Sequence, residues 1–296
     1  MAENIGQQNQ TFITDTNKCI YLCGGVVNNQ YKQKCIKYDE NRDDWQPISD
    51  MIYQRLDFSL IASNNKLYAI GGYNVTVVGG NELKTIETYD PRSNTWQLSK
   101  PLILKRYKMA ASVIDSKIYV CGGLNNYTAI KSCEIYSIDT NSIEFSEPMI
   151  YARYDFQLVA NNNYLYAIGG SSSSVEKFDL KTGQWTLIQN TNYRRTGFGA
   201  TILFNNIYVC GGVMSKNTCE KFDCNNNNNG TWKTIDSLKT ERDSFQIINL
   251  NNKIFALGSR ISPYESTVEI YDHKSDQWFQ SDSLPYRVYY HSVAVL

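Results

Sequence analysis

A pair of adjacent glycines recurs along the chain at nearly regular intervals, and this repeat constrains the fold more than any other feature. The pairs begin at residues 24, 71, 122, 169 and 211, and a degenerate sixth is Gly258-Ser259. The successive steps are 47, 51, 47, 42 and 47 residues. Each pair ends a short β-like run such as KLYAI or KIYVC. A period of this length indicates one structural unit used several times in one domain.

Each unit carries further residues at fixed distances from one another. An aromatic residue, usually followed by Asp, is followed seven residues later by Trp in four units, as in Tyr89-Asp90 and Trp96. In the fifth unit Trp232 comes ten residues after the aromatic, and in the third Ile143 replaces Trp. An Arg follows the Trp position by ten residues in five units and by nine in the sixth, and 16 residues separate it from the next glycine pair. Constant spacings are typical of strands joined by tight turns, and the variable spacing after the glycines indicates one loop per unit.

The diglycine, the aromatic-acid pair, the spaced Trp and the preceding Arg together resemble the kelch repeat. The resemblance covers roughly residues 19 to 296 and follows a polar N-terminal segment, residues 1 to 18. It implies an all-β fold, a six-bladed β-propeller with four antiparallel strands in each blade. Two units depart from the pattern, with Ser259 in place of the second glycine and Ile143 in place of Trp.

Cysteines mark a second periodicity, because they occupy matching positions in odd units only. The second strand of the odd units ends at Cys23, Cys121 and Cys210. A further cysteine stands three residues before the aromatic, at Cys35, Cys133 and Cys219. These positions are apolar in even units, so we expect small, buried thiols. Cross-strand disulfides are the alternative and would require an oxidising compartment. Metal binding is the least favoured interpretation.

The C-terminal residues predict how the ring closes. Residues 287 to 296 have the pattern of a first strand, and no second strand follows them. Unit one begins at its second strand, near Cys19, so we expect residues 287 to 296 to complete blade one. Residues 11 to 14 are the alternative source of that strand. Joining both ends of the propeller in one sheet removes exposed strand edges.

Composition argues against several function classes. Lys+Arg and Asp+Glu are both 29, whereas a general binder of nucleic acid or anionic membranes would carry a basic excess. No apolar run is long enough to span a bilayer and the N-terminus is polar, so we expect a soluble, cytoplasmic, monomeric propeller. The two His residues, His273 and His291, are too few for a His-rich metal site. No catalytic motif is present, so we expect neither an enzyme nor a cofactor.

The recurrent arginines, six in all, are expected to gather around one mouth of the central channel. Kelch adaptors bind partner peptides, often acidic ones, at this mouth, because guanidinium groups pair well with carboxylates and Tyr provides rigid contact area. The alternative is that the arginines are structural. Even units place an acid beside the Arg, so recognition is assigned chiefly to residues of the odd units and their neighbours, namely Arg106, Lys108, Arg194, Arg195, Tyr107 and Tyr73. Charge reversal at Arg106 and Arg195 should abolish binding without unfolding. The residues expected to bind the partner are Arg55, Tyr73, Arg106, Tyr107, Lys108, Arg153, Tyr154, Arg194, Arg195, Arg242, Arg260 and Arg287.

The resemblance therefore favours a protein-interaction module, such as a substrate-recognition or scaffold component of cullin-based ubiquitin ligases. Two alternatives from other classes stay open. One is an actin-associated kelch protein, and the other is a propeller enzyme similar to sugar-acid mutarotases. His291 is expected to be packed or hydrogen-bonded in the closing strand, and the long loop from Val75 to Lys84 is a second candidate contact surface.

Overall fold

The computed structural model describes residues 18–76, 81–170, 172–225 and 230–296. All regular secondary structure in these ranges is β-strand. Six four-stranded antiparallel sheets form the six blades of a propeller, as the repeat predicts. The Val75 to Lys84 loop lies partly outside the described residues, since residues 77–80 belong to none of these ranges.

The four strands of every blade follow one another from the central channel outward. In this order, blade one comprises Ser292–Val295, Cys19–Cys23, Cys35–Asp39 and Asp44–Ile48. Blade two comprises Ser59–Ser63, Lys66–Ile70, Ile86–Asp90 and Thr95–Ser99, and blade three Ala110–Ile114, Lys117–Cys121, Cys133–Ser137 and Ser142–Ser146. Blade four comprises Phe156–Asn161, Tyr164–Gly169, Val175–Asp179 and Gln184–Ile188, and blade five Gly199–Leu203, Asn206–Gly212, Lys216–Asp223 and Trp232–Ile235. Blade six comprises Gln246–Leu250, Lys253–Leu257, Val268–Asp272 and Gln277–Ser281.

Short two-residue strands extend the loops at one face. Tyr73–Asn74 pairs with Asn81–Glu82, and Leu124–Asn125 pairs with Thr128–Ala129. In blade one, Val26–Val27 lies between Gln30–Tyr31 and Val288–Tyr289. These strands stiffen the loops that follow the glycine pairs.

The ring closes in blade one, where the C-terminal strand is the innermost. Its register places Val293 opposite Leu22 and Ser292 opposite Cys23. The Ser292 hydroxyl accepts a hydrogen bond from the backbone N–H of Leu60 in blade two at 2.9 Å. The prediction that residues 287 to 296 supply this strand is confirmed for Ser292–Val295. The alternative source, residues 11 to 14, lies outside the described residues.

The hydrophobic core lies between blades, since one sheet is too small to cover its own aromatic side chains. Tyr89 and Trp96 of blade two pack with Tyr21 of blade one in a single buried cluster. The Trp96 indole N–H donates to the Ser49 carbonyl of blade one at 2.9 Å. Trp185, Trp232 and Trp278 donate in the same way to Glu147, Gln189 and Asp236. Each of these indoles therefore locks its blade to the preceding one.

The glycine pairs allow backbones to approach closely at the blade junctions. Gly71 and Gly72 have φ angles of +58° and +98°, in the left-handed region that disfavours a side chain. A Cβ on Gly71 would lie 2.7 Å from the carbonyl oxygen of Arg106, which lies in the connection from blade two to blade three. A Cβ on Gly72 would lie 2.8 Å from the Leu56 carbonyl oxygen. Both the dihedral angles and the space require glycine here.

The paired cysteines of the odd blades form disulfides. The bonds join Cys23 to Cys35, Cys121 to Cys133, and Cys210 to Cys219. The two members of each pair are direct cross-strand neighbours, so their side chains point to the same face of the sheet. The expectation of buried thiols is wrong for these six residues, although all are buried. Cys19 and Cys224 take part in no disulfide.

Candidate functional site

Two sets of loops meet at one face of the propeller, which we call the loop face. One set connects the second and third strands of each blade, and the other connects each outer strand to the next inner strand. Backbone hydrogen bonds join the sets, as between Tyr73 and Leu56 at 2.9 and 3.0 Å and between Leu124 and Tyr107 at 2.8 and 3.2 Å. The mouth of the central channel opens at the centre of this face.

The recurrent arginines lie beneath the loop face rather than on it. In blade two, the Arg55 guanidinium pairs with Glu87 at 2.8 Å, and both side chains are fully buried. Arg55 also donates to the Gly71 carbonyl at 2.6 Å, which fixes the start of the glycine turn. The equivalent ion pairs are Arg106–Glu134, Arg153–Glu176, Arg195–Glu220 and Arg242–Glu269, at 2.7 to 3.0 Å.

Each paired glutamate also binds the connection that enters its blade. Glu87 accepts hydrogen bonds from the backbone N–H groups of Ile52 at 2.6 Å and Tyr53 at 3.0 Å. The equivalent donors are Ile103 and Leu104 to Glu134, Ile150 and Tyr151 to Glu176, Asn192 to Glu220, and Lys239 and Thr240 to Glu269. The buried pair thus holds together the connection, the glycine turn and the third strand.

The expectation that a ring of exposed arginines lines the mouth is therefore wrong for five of its members. Arg55, Arg106, Arg153, Arg195 and Arg242 are at most 1% exposed. Burial lowers the pKa of each of them, and the glutamate partner opposes that shift. The distinction between even and odd units also fails, because Arg106 and Arg195 have buried glutamate partners like the others.

The sixth arginine differs because its blade lacks the glutamate. Glu stands two residues before the aromatic in blades two to six, whereas Ile36 holds this position in blade one. Arg287 is accordingly exposed at the loop face. The sequence itself contains a signal for the ion pairs, because a Glu-x-aromatic triplet accompanies each of the five buried arginines. The glutamates are the residues that our interpretation of the repeat missed.

A ring of six left-handed residues encircles the mouth, one from each blade. Five lie two residues after the recurrent Arg, and the sixth lies three residues after Arg287. The ring consists of Asp57, Lys108, Asp155, Gly197, Ser244 and Tyr290, with φ between +49° and +61°. Backbone hydrogen bonds of 2.7 to 3.0 Å join neighbours from Lys108 to Asp57, Asp155 to Lys108, Ser244 to Gly197, and Tyr290 to Ser244. These six residues line the mouth, whereas the five buried arginines do not.

Three ring members form a charged group. The Lys108 ammonium contacts the Asp155 carboxylate at 2.7 Å, and Asp57 lies on the other side of Lys108 in the ring. Burial raises the pKa of Asp57 to about 7, and Asp155 adds to this rise while Lys108 opposes it. Asp57 therefore titrates near neutral pH, which is uncommon for a carboxyl group.

The residue that follows each ring member packs against the first glycine of the preceding blade. Phe58, Met109, Phe156, Phe198 and Phe245 occupy this position in blades two to six. Blade one has His291, which is 3% exposed and contacts Gly258. The Leu257 backbone lies beside the ring, but neither ring nitrogen reaches hydrogen-bond geometry with a described residue. Burial lowers the pKa of His291 to about 3, so the imidazole is neutral at physiological pH.

Tyrosines form the rim of the mouth beside blades two and three. The Tyr73 and Tyr107 rings pack with centroids 5.1 Å apart, and the Tyr127 hydroxyl lies 3.4 Å from that of Tyr73. Glu82 fixes the tip of the neighbouring loop by accepting hydrogen bonds from the backbone N–H groups of Asn126 and Tyr127. Tyr127 is 72% exposed, so part of this aromatic surface is open to solvent.

The remaining predicted residues lie further round the loop face. Tyr154 is half-buried, and Arg194 and Arg260 are exposed. Arg260 makes a two-pronged ion pair with Asp243, with contacts of 2.8 and 3.1 Å. The structure therefore brings Lys108 and Arg260 to the mouth, Tyr73 and Tyr107 to its rim, and Arg194 and Arg287 to the outer part of the same face.

Exposed large apolar side chains concentrate on the loop face. Fourteen such side chains occur among the described residues, and nine of them lie here. The nine are Tyr31, Ile52, Ile103, Tyr127, Ile150, Tyr151, Tyr193, Val213 and Met214. Four of the other five lie on outer strands, and Phe204 lies at the opposite face. Such a bias marks a surface suited to contact with another protein.

Two further properties of the described residues bear on the class of site. Within residues 18–76, 81–170, 172–225 and 230–296, no group of three or more His, Cys, Asp and Glu side chains is placed to hold a metal ion. The same ranges contain no helix that is long and apolar enough to cross a membrane.

Known proteins match both the sequence and the fold. Residues 10–212 match the family model of the KLHDC2/KLHL20/DRC7 Kelch-repeats domain. The chain is 27% identical to Kelch-like protein 25 of Xenopus tropicalis over 233 residues, which cover 76% of this chain and 32% of that protein. It is 24% identical to Kelch-like protein 35 of Mus musculus over 252 residues, which cover 85% and 35%. The chain thus spans about a third of the length of these relatives.

A solved structure gives a match to the fold alone. The structure of YjhT aligns with a TM-score of 0.76 and covers 90% of this chain and 95% of that chain, at 14% sequence identity.

Proposed function

Because the chain belongs to the family of kelch-repeat propellers, we propose that it is a protein-interaction module that binds a segment of a partner protein on its loop face. The proposal is carried by the distribution of exposed apolar side chains, nine of fourteen of which lie on that face. Binding energy at protein interfaces comes mainly from aromatic, arginine and other large side chains that lose contact with water. The loop face offers such side chains around a concave centre.

We further propose that the partner segment is acidic. The five buried arginines are neutralised by glutamates and contribute no attraction at the surface. The exposed cations Arg194 and Arg287 lie on the outer part of the face, where carboxylates of a partner can approach them, and the exposed Arg260 lies at the mouth. The half-buried Tyr73 and Tyr154 then supply contact area closer to the channel, and the buried Tyr107 packs against Tyr73. The ion pair with Asp243 reduces the attraction that Arg260 exerts on a partner.

The names of two relatives support a biological setting, which is part of the proposal. One curated relative is named as a Kelch repeat and BTB domain-containing protein, and another as an F-box/kelch-repeat protein. We propose that this propeller recognises a substrate or scaffolds partners for a cullin-based ubiquitin ligase. In this role the propeller binds its partner and catalyses no reaction.

The test is a quantitative capture of partners from the native cell with matched surface variants. Arg194→Glu with Arg287→Glu reverses two exposed charges on the loop face. Arg42→Glu with Arg92→Glu reverses two exposed charges in turns of the opposite face and serves as the control. Circular dichroism confirms that both variants fold. We expect partners to be lost from the loop-face variant alone, and an unchanged partner list would refute the proposed surface.

A further inference from the structure

Two independent interactions hold the root of the loop in blades three and five, where the second strand ends and the third strand begins. In blade three, the first is the Cys121–Cys133 disulfide. The second is Arg106, which donates to the carbonyls of Gly122 at 2.8 Å and Ser132 at 3.0 Å, the residues next to the two cysteines. The same two interactions recur in blade five, formed by Cys210–Cys219 and Arg195. We therefore expect these two roots to stay closed when the disulfide alone is lost.

Blade one differs because an apolar pair replaces the buried ion pair. Ile36 holds the position of the glutamate, and Val288 holds the position of the arginine. The backbone N–H of Val288 donates to the Glu265 carbonyl in the preceding loop, as the recurrent arginines of blades three, four and six do. Val288 and Ile36 are buried in one apolar cluster with Leu22. The ion pairs that the structure describes in blade one join side chains at the opposite face and not at this root.

The loop closed by the Cys23–Cys35 disulfide also holds the chain segment that carries Arg287. The backbone N–H of Asn28 donates to the Arg287 carbonyl at 3.0 Å, and the Asn28 side-chain oxygen accepts from the Arg287 N–H at 3.2 Å. Val26–Val27 pairs with Val288–Tyr289 in the same place. Loosening this root therefore affects the loop and the entry to the closing strand together.

We propose that the Cys23–Cys35 disulfide is a redox switch, whose reduction releases the loop of blade one and the neighbouring residues 287–290. The loops of blades three and five stay closed under the same conditions, since their buried ion pairs remain. The consequence for binding rests on the proposed function, because the exposed Arg287 and Tyr31 belong to the proposed partner surface. Reduction then weakens the binding of the partner.

The switch requires a dithiol as the electron donor. One thiolate of the dithiol attacks a sulfur atom of the Cys23–Cys35 bond, so that the S–S bond breaks and a mixed disulfide forms. The second thiol of the dithiol then displaces the cysteine from the mixed disulfide. Two electrons and two protons pass to the protein, which gains two thiols, and the dithiol leaves as a disulfide. Oxidised glutathione reverses the reaction and leaves as two molecules of glutathione.

Burial makes the reduction selective for blade one. All six cysteines in the disulfides are at most 1% exposed, so a reductant reaches a bond only while the loop root is open. Opening the root in blades three and five also breaks a buried ion pair, which is costly. Opening it in blade one breaks apolar contacts alone. The Cys23–Cys35 bond should therefore be the first of the three to be reduced.

The experiment compares the purified full chain before and after treatment with dithiothreitol by amide hydrogen exchange and mass spectrometry. We expect exchange in residues 26–34 and 287–290 to become at least about tenfold faster, because the disulfide no longer restricts the open state. Exchange in residues 124–132 and 213–218 should change by less than about threefold. An equal change in all three loops, or no change in the loop of blade one, would overturn the inference.

Matched variants test the same inference without a reductant. Cys23→Val with Cys35→Val removes the bond in blade one, and Cys121→Val with Cys133→Val is the control in blade three. Valine is close to cysteine in size and holds the second of these positions in two even blades, so both variants should fold, which circular dichroism checks. We expect fast exchange in the loop of the blade-one variant alone. A blade-one variant that exchanges as slowly as the oxidised wild type would contradict the inference.

The two proposals fail in different ways. If partner capture depends on Arg194 and Arg287 but the loop of blade one does not respond to reduction, the redox switch is wrong and the interaction surface stands. If the loop responds and capture is insensitive to the loop-face variant, the redox switch stands and the proposed partner surface is wrong.

Discussion

Two of the buried arginines, Arg55 and Arg195, have all of their guanidinium donors satisfied inside the protein. The five N–H donors of Arg55 reach Glu87 twice, the Gly71 carbonyl, and the carbonyl and hydroxyl of Thr85. Arg195 makes the same five bonds with Glu220, Gly211 and Thr218. A guanidinium group with all its donors satisfied by its own chain has none left for a ligand.

Removing one of these arginines will destabilise the propeller instead of affecting binding selectively. Arg195→Gln leaves the buried Glu220 carboxylate without its cation, and breaking a buried ion pair in this way costs about 3–5 kcal/mol. Arg287→Gln, which changes an exposed side chain, should shift the free energy of unfolding by less than about 0.5 kcal/mol. Urea unfolding followed by circular dichroism measures both. Equal stability of the two variants would mean that the buried pair is dispensable.

At the scale of the single blade, the disulfides make odd and even units different. In blades one, three and five the bond joins the end of the second strand to the start of the third, directly beneath the loop face. Even blades have apolar pairs at the same place, such as Ile70 opposite Ile86. The root of each loop is therefore fixed by a covalent bond in one set of blades and by packing in the other.

The disulfides predict the number of reactive thiols. Of the eight cysteines, only Cys19 and Cys224 keep a thiol group, so the denatured protein purified without reductant should react with two equivalents of a thiol reagent. Eight reactive thiols would show that the bonds do not form. Alkylation during denaturing lysis of the cells then tests the compartment, because denaturation exposes the buried cysteines to the reagent. The cytoplasmic location expected from the sequence predicts that all eight are labelled there, because the cytosol keeps thiols reduced.

The repeat predicted the blades well because most paired strands within a blade are neighbours in the sequence. The glycine pairs, the Trp spacing and the run before Leu296 were sufficient for the six sheets and for their closure. The direction of the arginine side chains was not predictable from spacing alone, since spacing gives the register of a residue but not its partner. The partner became recognisable only through a second repeated residue, Glu, and through its replacement by Ile36.

The ring of left-handed residues could be predicted only in part. Asp57, Asp155 and Gly197 are of types that tolerate this backbone conformation, but Lys108 and Tyr290 are not. Tertiary hydrogen bonds between neighbouring blades hold these two residues in place. Such bonds join residues 46 to 51 positions apart in the sequence, and no local pattern predicts them.

At the scale of the whole molecule, stability depends on the closing strand, and His291 makes that closure sensitive to acid. The pKa of His291 is about 3 in the folded protein, compared with about 6.5 in the unfolded chain. Below pH 6.5 the unfolded chain binds a proton that the folded protein does not, so stability is full above this pH and falls as the pH decreases. By linkage the loss at pH 4.5 is about 2–3 kcal/mol.

His291→Phe gives blade one the residue type found in most other blades. It also removes the group whose protonation in the unfolded chain lowers the free energy of unfolding at acid pH. We expect its free energy of unfolding to exceed that of the wild type by a margin that grows by about 2–3 kcal/mol between pH 7 and pH 4.5. Carboxyl groups titrate in both proteins and cancel in the difference. A margin that is constant with pH would show that His291 is not buried in its neutral form.

The buried Arg–Glu pairs also bear on how such a molecule can change over evolutionary time. Each pair secures the base of its loops from within, so residues added or exchanged beyond that base leave the blades as they were. One face can then diverge in length and chemistry while the ring persists. A lineage that carries this scaffold can acquire a new binding specificity through a few loop mutations, without passing through an unfolded ancestor.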